Sequence, residues 1–183
     1  MTSVLKVDTI QSSGGTTGLT IDSGGRIAMA ATTMYDVYRL TTDATANGTL
    51  TAWESPDDAL AVTIGDSMSV SSGIFTFPRT GVYKVTLYAN IENSDGDAAT
   101  AIEVMGTTDN SSYDALAFLQ VTSNDSSALV RATTSGECIV NISDTSNRKI
   151  KIELTSVSDT SAVKGSTNRN ESYVTFQYLA PAQ

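Results

Sequence analysis

The fold of this chain is decided by one stretch, Gly73-Ile74-Phe75-Thr76-Phe77-Pro78-Arg79-Thr80-Gly81-Val82-Tyr83. It reads as a short strand, a turn and the beginning of a long strand. Pro78 has no backbone N–H group to donate to a neighbouring strand, so the first strand ends beside it. Gly81 can adopt a positive φ that other residues avoid, which is typical of a turn. The stretch therefore predicts two strands joined by a Pro-to-Gly turn.

Apolar residues alternate with more polar ones in the segment that follows the turn, residues 81–92. Successive side chains of a strand point to opposite faces of a sheet, so this period of two predicts a strand with one buried face. The same alternation recurs at residues 148–157, where Lys149, Lys151 and Glu153 would face outward. The residues that we expect in the core are Tyr83, Val85, Leu87, Ala89, Ile91, Ile150, Ile152 and Leu154.

Further strand signals come at the short, regular spacing of a β-sandwich. They are separated by segments such as 93–97 and 122–126, whose Asn, Asp, Ser and Gly residues favour turns. No segment shows a sustained helical period of apolar residues, so the pattern predicts an all-β fold. We expect strands near residues 34–42, 48–53, 60–64, 67–71, 73–77, 81–92, 99–107, 113–122, 127–133, 136–143, 148–157 and 171–179.

The spacing of five residues in the opening stretch, G-x-F-x-x-P-x-x-G-x-Y, resembles the signature of the complement-type globular head, a tumour-necrosis-factor-like jelly roll. The five residues are Gly73, Phe75, Pro78, Gly81 and Tyr83. The resemblance implies an antiparallel jelly-roll sandwich of about ten strands that assembles as a tight homotrimer. Residues 172–179 are similar to the closing strand of that fold, although Gln177 stands where a small Gly is common. The chain has no collagen-like stalk, which argues against a complement-like role.

The length of 183 residues predicts one domain and a tail. The net charge is −9 and no basic cluster is present to neutralise a phosphate backbone, so we expect no nucleic-acid partner. Residues 1–10 lack the features of a signal peptide, and no apolar run reaches the length of a membrane span. We therefore expect synthesis in a reducing cytoplasm and no membrane insertion. The single cysteine, Cys138, is interpreted as a buried structural thiol in preference to a reactive nucleophile.

An N-terminal arm, residues 1–32, differs from the rest of the chain, which we expect to form the jelly-roll head at residues 33–183. The arm has only short apolar patches between Ser- and Gly-rich turns, and such patches cannot bury a core alone. It is therefore disordered, or it pairs with another chain or with a particle. The residues that we expect to anchor it to a particle are Leu5, Val7, Ile10, Leu19, Ile21 and Ile27.

The sequence L-K-V-D-T-I-Q at residues 5–11 resembles the opening of many tail-fibre and virion structural proteins of bacteriophages, notably phages of marine bacteria and cyanobacteria. The resemblance implies a virion protein whose arm attaches it to the particle. A plain flexible leader is the alternative interpretation of the arm.

The chain has no histidine, which removes Ser-His-Asp and Cys-His catalysis and most zinc sites. Carboxylates remain, and we interpret them as solvated loop acids, with adjacent side chains pointing apart; a glycan-cleaving pair is the alternative. The two clusters are Asp57-Asp58 and Asp95 with Asp97. Asn93, Asp95 and Asp97 alternate like calcium ligands, but the rest of a calcium loop is absent. We therefore expect no enzyme activity, no cofactor and no metal, with a calcium ion at these three residues as the alternative.

Four apolar residues fall out of phase with the predicted core face, and in a threefold assembly they would line the axis. They are Val82, Tyr88, Ile139 and Leu179. A misjudged register is the alternative explanation. We expect loops at the far end of the head to face a receptor through Trp53 and Tyr113.

These features favour a trimeric phage tail fibre or spike, located in the virion and assembled in the host cytoplasm. Its arm would contact other virion proteins, and its head would bind a glycan or protein on the host surface. A trimeric capsid decoration or head-fibre protein, with the arm gripping the shell, is the second hypothesis. A glycan-degrading spike and a cell-surface adhesion module are further alternatives.

Overall fold

The computed structural model describes residues 7–11, 13–15, 17–21, 23–25, 27–28, 33–93, 99–122, 129–158 and 161–183, with the backbone alone at 17–20 and 27–28. All regular structure in these residues is β-strand, as the strand-rich pattern predicts. Within them, no helix is long and apolar enough to cross a membrane.

Fifteen strands are formed by the described residues. In chain order they are β1 Thr9–Gln11, β2 Thr17–Ile21, β3 Ile27–Ala28, β4 Tyr35–Leu40, β5 Gly48–Thr49, β6 Trp53–Glu54, β7 Ser69–Ser71, β8 Ile74–Thr76, β9 Gly81–Asn93, β10 Ala99–Thr107, β11 Asp114–Thr122, β12 Val130–Ile142, β13 Lys149–Ser156, β14 Ala162–Val163 and β15 Tyr173–Ala180.

The strands pair antiparallel in three sheets. The front sheet has the order β12-β9-β15-β4-β6, with β14 also paired to β9. The back sheet has the order β11-β10-β13-β8-β7, with β5 also paired to β13. These two sheets pack around one core as a sandwich, which confirms the predicted all-β architecture. The third sheet, β1-β2-β3, belongs to the N-terminal arm.

Strand β9 supplies the centre of the core. Its predicted inward residues are all fully buried, and the predicted inward residues of β13 in the back sheet belong to the same cluster. Fully burying a Val, Leu or Ile side chain stabilises a fold by about 1.5–3 kcal/mol, so the alternation read from the sequence contributes substantially to stability.

Phe75, from the opening stretch, joins the two sheets. Its ring centroid lies 5.3 Å from that of Tyr38, 5.7 Å from that of Trp53 and 5.0 Å from that of Phe176. Phe75 belongs to the back sheet and the other three residues to the front sheet. Tilted and edge-to-face ring pairs contribute about 0.5–1.5 kcal/mol each beyond their burial. The first strand of the opening stretch is therefore an inter-sheet contact.

The Pro-to-Gly turn is closed by the hydroxyl of Tyr83, which donates to the carbonyl oxygen of Arg79 at 2.8 Å. Gly81 does not have the positive φ that we predicted. It is needed for a different reason, because a Cβ atom there would lie 2.3 Å from Cε2 of Tyr178. The positive φ occurs at Gly73, at 80°, where the chain enters the first strand of the stretch.

Two predicted strands do not exist as predicted. Residues 60–64 form no strand, because their apolar alternation lies on an exposed loop where only Ile64 makes an isolated bridge, to Tyr35. Residues 48–53 are divided between β5 and β6, which lie in different sheets because the chain crosses the sandwich there.

Other boundaries also differ. The predicted strands at 127–133 and 136–143 are one strand, β12, because it pairs with β9 along the whole of that strand. Strand β14 was not predicted, since a two-residue strand has no alternation to detect. The two predicted turns, 93–97 and 122–126, lie outside the described residues except for their first residues, Asn93 and Thr122.

Truncation of Phe75 tests its central position. We expect Phe75→Ala to lower the free energy of unfolding by about 3–5 kcal/mol, because burial is lost and a cavity remains. Chemical denaturation measures the change. The control is Phe118→Ala on the exposed surface of β11, which should change the free energy of unfolding by less than about 0.5 kcal/mol. Equal losses in the two variants would contradict this role of Phe75.

Candidate functional site

The candidate site is the outward face of the front sheet. On β9 this face carries the even-numbered residues, because the odd-numbered ones are buried in the core. Pairing with β12, β15 and β4 places further outward residues beside them in rows across the sheet. We call this surface the tyrosine face. Its three rows are Ile139–Lys84–Gln177–Tyr35, Glu137–Thr86–Thr175–Val37 and Ser135–Tyr88–Tyr173–Arg39.

Three tyrosines give the face its aromatic character. The rings of Tyr88 and Tyr173 are stacked, with centroids 4.5 Å apart and planes 14° apart. Partial burial raises the pKa of Tyr173, and the nearby Tyr88 and Tyr35 add to the rise, so the phenol is neutral at physiological pH. Neutral aromatic side chains with a polar tip are enriched where proteins contact one another.

The middle row of the tyrosine face is low and polar. Thr86 and Thr175 are directly paired across β9 and β15, and both are buried although they point outward. Small side chains between larger ones allow another backbone or ring to approach the sheet closely. The middle row is therefore a shallow trough between the row that holds Tyr35 and the row that holds Tyr88 and Tyr173.

An ion pair marks the β12 side of the trough. Nζ of Lys84 lies 2.5 Å from Oε2 of Glu137, and this hydrogen bond raises the pKa of Lys84. Both side chains are partly exposed, and an exposed pair of this kind contributes at most about 1 kcal/mol. The ion pair therefore mainly neutralises the charges of Lys84 and Glu137, on a part of the face where the other side chains are uncharged.

All four residues predicted to line a threefold axis lie outside the core. Val82 and Tyr88 are half-buried on β9, Ile139 is exposed on β12 beside Lys84, and Leu179 is exposed at a bulge where the pairing of β15 with β9 shifts. The register was therefore judged correctly. Their role in an assembly stays a prediction.

The sequence reasoning missed two tyrosines of the face. Tyr173 was detectable, since it lies six residues before Leu179, which was expected to point outward, and residues an even number apart in a strand share a face. Tyr35 carried no comparable signal, because it is the first residue of β4.

A loop, residues 55–68, runs beside β4 and is held to it by Arg39. The guanidinium of Arg39 belongs to the tyrosine face, but its side chain is 0% exposed. Its three nitrogens each bind a different carboxylate: Nε to Glu54 at 2.8 Å, Nη1 to Asp58 at 2.9 Å and Nη2 to Asp57 at 2.6 Å. Burial disfavours the charge of Arg39, yet the hydrogen bonds that it donates to these carboxylates leave its pKa raised.

The other end of the loop is fixed by Asp36, a buried carboxylate of β4. It accepts hydrogen bonds from the backbone N–H of Met68 at 2.7 Å, the hydroxyl of Ser67 at 2.8 Å and the hydroxyl of Thr63 at 3.2 Å. A buried carboxylate requires such partners, since an unpaired one would destabilise the fold. Two charged residues of one strand therefore hold both ends of the loop.

Between these ends the loop presents an apolar ridge, formed by Leu60, Val62 and Ile64. Leu60 is 96% exposed, Val62 75% and Ile64 49%. A recess of about 400 Å³ separates the loop from Val37 on the sheet. A rigidly held loop with exposed apolar side chains is typical of a contact surface.

The opposite edge of the same sheet carries an apolar groove. It has a volume of about 260 Å³ and lies between β12 and the neighbouring edge of the back sheet. Its apolar lining includes Gly106, Leu116, Ile139, Val140 and Ile150. The ridge and the groove thus lie at the two ends of the strand order of the front sheet.

The interpretation of Asp57 and Asp58 is correct in part. Both side chains are solvated, as expected, at 83% and 57% exposure, but they do not point apart, because both bind the buried guanidinium of Arg39. Their geometry is that of a structural clamp.

The other predicted acids, Asp95 and Asp97, lie outside the described residues. The amide of Asn93 donates to the carbonyl oxygen of Val121 at 3.0 Å. The part of the chain that the structure describes holds no cluster of metal-binding side chains.

The prediction that Trp53 faces a receptor is wrong. Its side chain packs in the core beside Phe75, is 8% exposed and donates from Nε1 to the carbonyl oxygen of Leu50 at 2.8 Å. Tyr113 is half-buried just before β11, with Nζ of Lys151 4.6 Å from its ring centroid. Tyr113 is accessible, and its contact with a receptor stays a prediction.

Cys138 is half-buried on the inward side of β12. Burial raises the pKa of its thiol to about 11, with a smaller contribution from Glu137. The thiol is therefore protonated and unreactive at neutral pH, in agreement with a structural role.

Comparison with known proteins addresses the fold. No protein-family model and no curated protein matches the sequence. Solved structures do match. Eiger TNF from S. frugiperda has a TM-score of 0.61 at 13% identity, covering 82% of this chain and 95% of that chain. The sandwich is a jelly roll of the tumour-necrosis-factor type. Murine APRIL has TM-scores of 0.57 and 0.56 in structures at pH 8.5 and pH 5.0, with 10% and 12% identity, 80% of this chain covered and 99% of that chain.

Replacement of Arg39 tests the clamp. In Arg39→Met the three carboxylates lose their common cation, and we expect the loop to detach while the core persists. Hydrogen–deuterium exchange of residues 55–63 should rise strongly, exchange within β9 should stay low, and the free energy of unfolding should fall by about 1.5–3 kcal/mol. The control is Arg169→Met, an exposed arginine whose single ion-pair partner in the described residues is Glu171. Unchanged exchange in the loop would show that Arg39 does not hold it.

Proposed function

We propose that the protein is a non-enzymatic, trimeric structural protein of a bacteriophage virion, which attaches to the particle through its arm and binds the host surface through its head. The observation that carries the trimer is the tyrosine face, the outward face of one sheet of the sandwich, which holds a stacked aromatic pair beside a row of threonines. The phage assignment is supported by the resemblance of residues 5–11 to the opening of phage fibre proteins.

The distribution of apolar surface supports a closed ring of copies. The apolar ridge stands at the β4 edge of the front sheet and the apolar groove at its β12 edge. A surface that matches a different surface of the next copy gives a head-to-tail contact, and such contacts close into rings when the rotation permits. The tyrosine face lies between these two edges, where it would meet its copies about the axis.

Binding without catalysis is supported by the chemistry of the described residues. The sequence has no histidine, and the acids nearest to a paired arrangement, Asp57 and Asp58, are engaged by Arg39. A glycan-degrading spike therefore lacks its candidate carboxylates in this region. The loop before β11 offers Tyr113, which is half-buried, and its polar neighbours for contact with a host glycan or protein.

The solution mass tests the trimer. We expect the full chain to have about three times the monomer mass of 19.2 kDa by light scattering. Tyr88→Arg should produce monomers, since it places a charge within the aromatic stack. The control, Phe118→Arg, adds the same charge to an exposed aromatic residue of the back sheet and should leave the mass unchanged. A monomeric wild-type chain would overturn the trimer.

Localisation on the particle tests the virion assignment. Antibodies against the head should label tail structures of the phage that encodes the chain, and the purified protein should compete with that phage for adsorption to host cells. If the antibodies labelled the capsid, the proposed role in host binding would be replaced by a role in capsid decoration. Absence of the protein from purified particles would refute both assignments.

A further inference from the structure

The small sheet of the arm is amphipathic. Ile10 pairs with Leu19 and Ile21 pairs with Ile27, and paired residues lie on the same side of a sheet. Leu19 and Ile21 are two positions apart in β2, so all four residues share one face. We call it the arm face. The opposite face carries the pairs Thr9–Thr20 and Thr20–Ala28.

The arm sheet is a single layer. Its strands have three, five and two residues, joined by turns in which Gly15 and Gly25 have φ values of 79° and 76°. Ile10 is 51% exposed. A sheet of three short strands needs a second layer against its apolar side to be stable in water. The arm face therefore requires an occupant.

We propose that the occupants are the arms of two further copies of this chain, so that three arm faces pack together into a β-stalk on the threefold axis. This inference rests on the proposed trimer. It assigns to self-association four of the six apolar residues that the sequence suggested for attachment to a particle.

The position of the arm favours copies over a foreign partner. Only residues 29–32 separate β3 from the start of the head, and extended chain spans at most about 3.6 Å per residue, so each arm stays near its head. The first strand of the head begins at Tyr35, which lies on the tyrosine face. In a trimer built on that face, three arms would leave from adjacent points.

Tethering strengthens this preference. Arms held on short links reach an effective concentration of the order of millimolar, without any contribution from a free partner. The four residues of the arm face are uncharged, so identical faces can meet without repulsion. The stalk would leave the residues before β1, with Leu5 and Val7, for contact with the particle.

Cross-linking with a short bismaleimide tests the stalk. Two variants are compared, Ile10→Cys and Thr9→Cys, and each also carries Cys138→Ala, which removes the natural thiol. Ile10→Cys should give covalent dimers that include up to two of every three chains, because three thiols around an axis can pair only once. Thr9→Cys, one residue along and on the opposite face, should remain uncrosslinked. Equal cross-linking, or none at Ile10→Cys, would overturn the proposal.

Tryptic removal of the arm after Arg26 provides a second readout on the full chain. The double variant Ile10→Ser/Ile21→Ser should lose residues 1–26 at least about tenfold faster than wild type, because an unpacked sheet opens more often. The matched control Thr9→Ser/Thr20→Ser should keep the wild-type rate. Light scattering on the same samples separates the two proposals. A monomeric wild type overturns both, whereas a trimer whose arm is cleaved as fast as the double variant overturns the stalk alone and assigns the arm face to a foreign partner.

Discussion

The register of β9 is the constraint on which the rest of the molecule depends. This strand of 13 residues pairs with β12, β15 and β14, and its inward residues are fully buried. A shift of one residue would bring Lys84 into the core and turn Tyr83 to solvent. Each misplaced apolar side chain would cost about 1.5–3 kcal/mol, so the register is fixed. The rows of the tyrosine face follow from the same register, which means that core packing also builds the outward surface.

Arg39 shows how a charged residue is accommodated on that surface. It stands in the same row as Tyr88 and Tyr173, where an exposed cation would interrupt an aromatic contact. The carboxylates of Glu54, Asp57 and Asp58 withdraw it beneath the loop. A buried charge is tolerated when hydrogen-bonded partners surround it, and here those partners also position the apolar ridge. One cation thereby links the order of the loop to the composition of the sheet face.

The sequence predicted what depends on periodicity and could not predict what depends on distant contacts. The inward residues of β9 and β13 and the outward position of Ile139 follow from alternation, and the structure agrees. The prediction that Trp53 is exposed was wrong, because a strand of two residues shows no alternation from which its inward face could be read. Its burial beside Phe75 therefore could not be predicted. The Arg39 clamp could not be predicted at all, because 15 to 19 residues separate the guanidinium from its carboxylates and no local pattern indicates that they meet. The arm face could not be predicted either, because it depends on how three separate strands pair with one another.

The placement of the ridge and the groove on opposite edges of one sheet has a consequence for polymerisation. A contact between unlike surfaces satisfies only one side of each copy, so every unclosed assembly retains a free ridge and a free groove. Whether growth stops depends on the angle between successive copies, and a different angle gives an open filament. In the proposed assembly, a change in the tilt of the loop would therefore convert a closed ring into an open filament. Selection on this loop would act on its angle as strongly as on its chemistry.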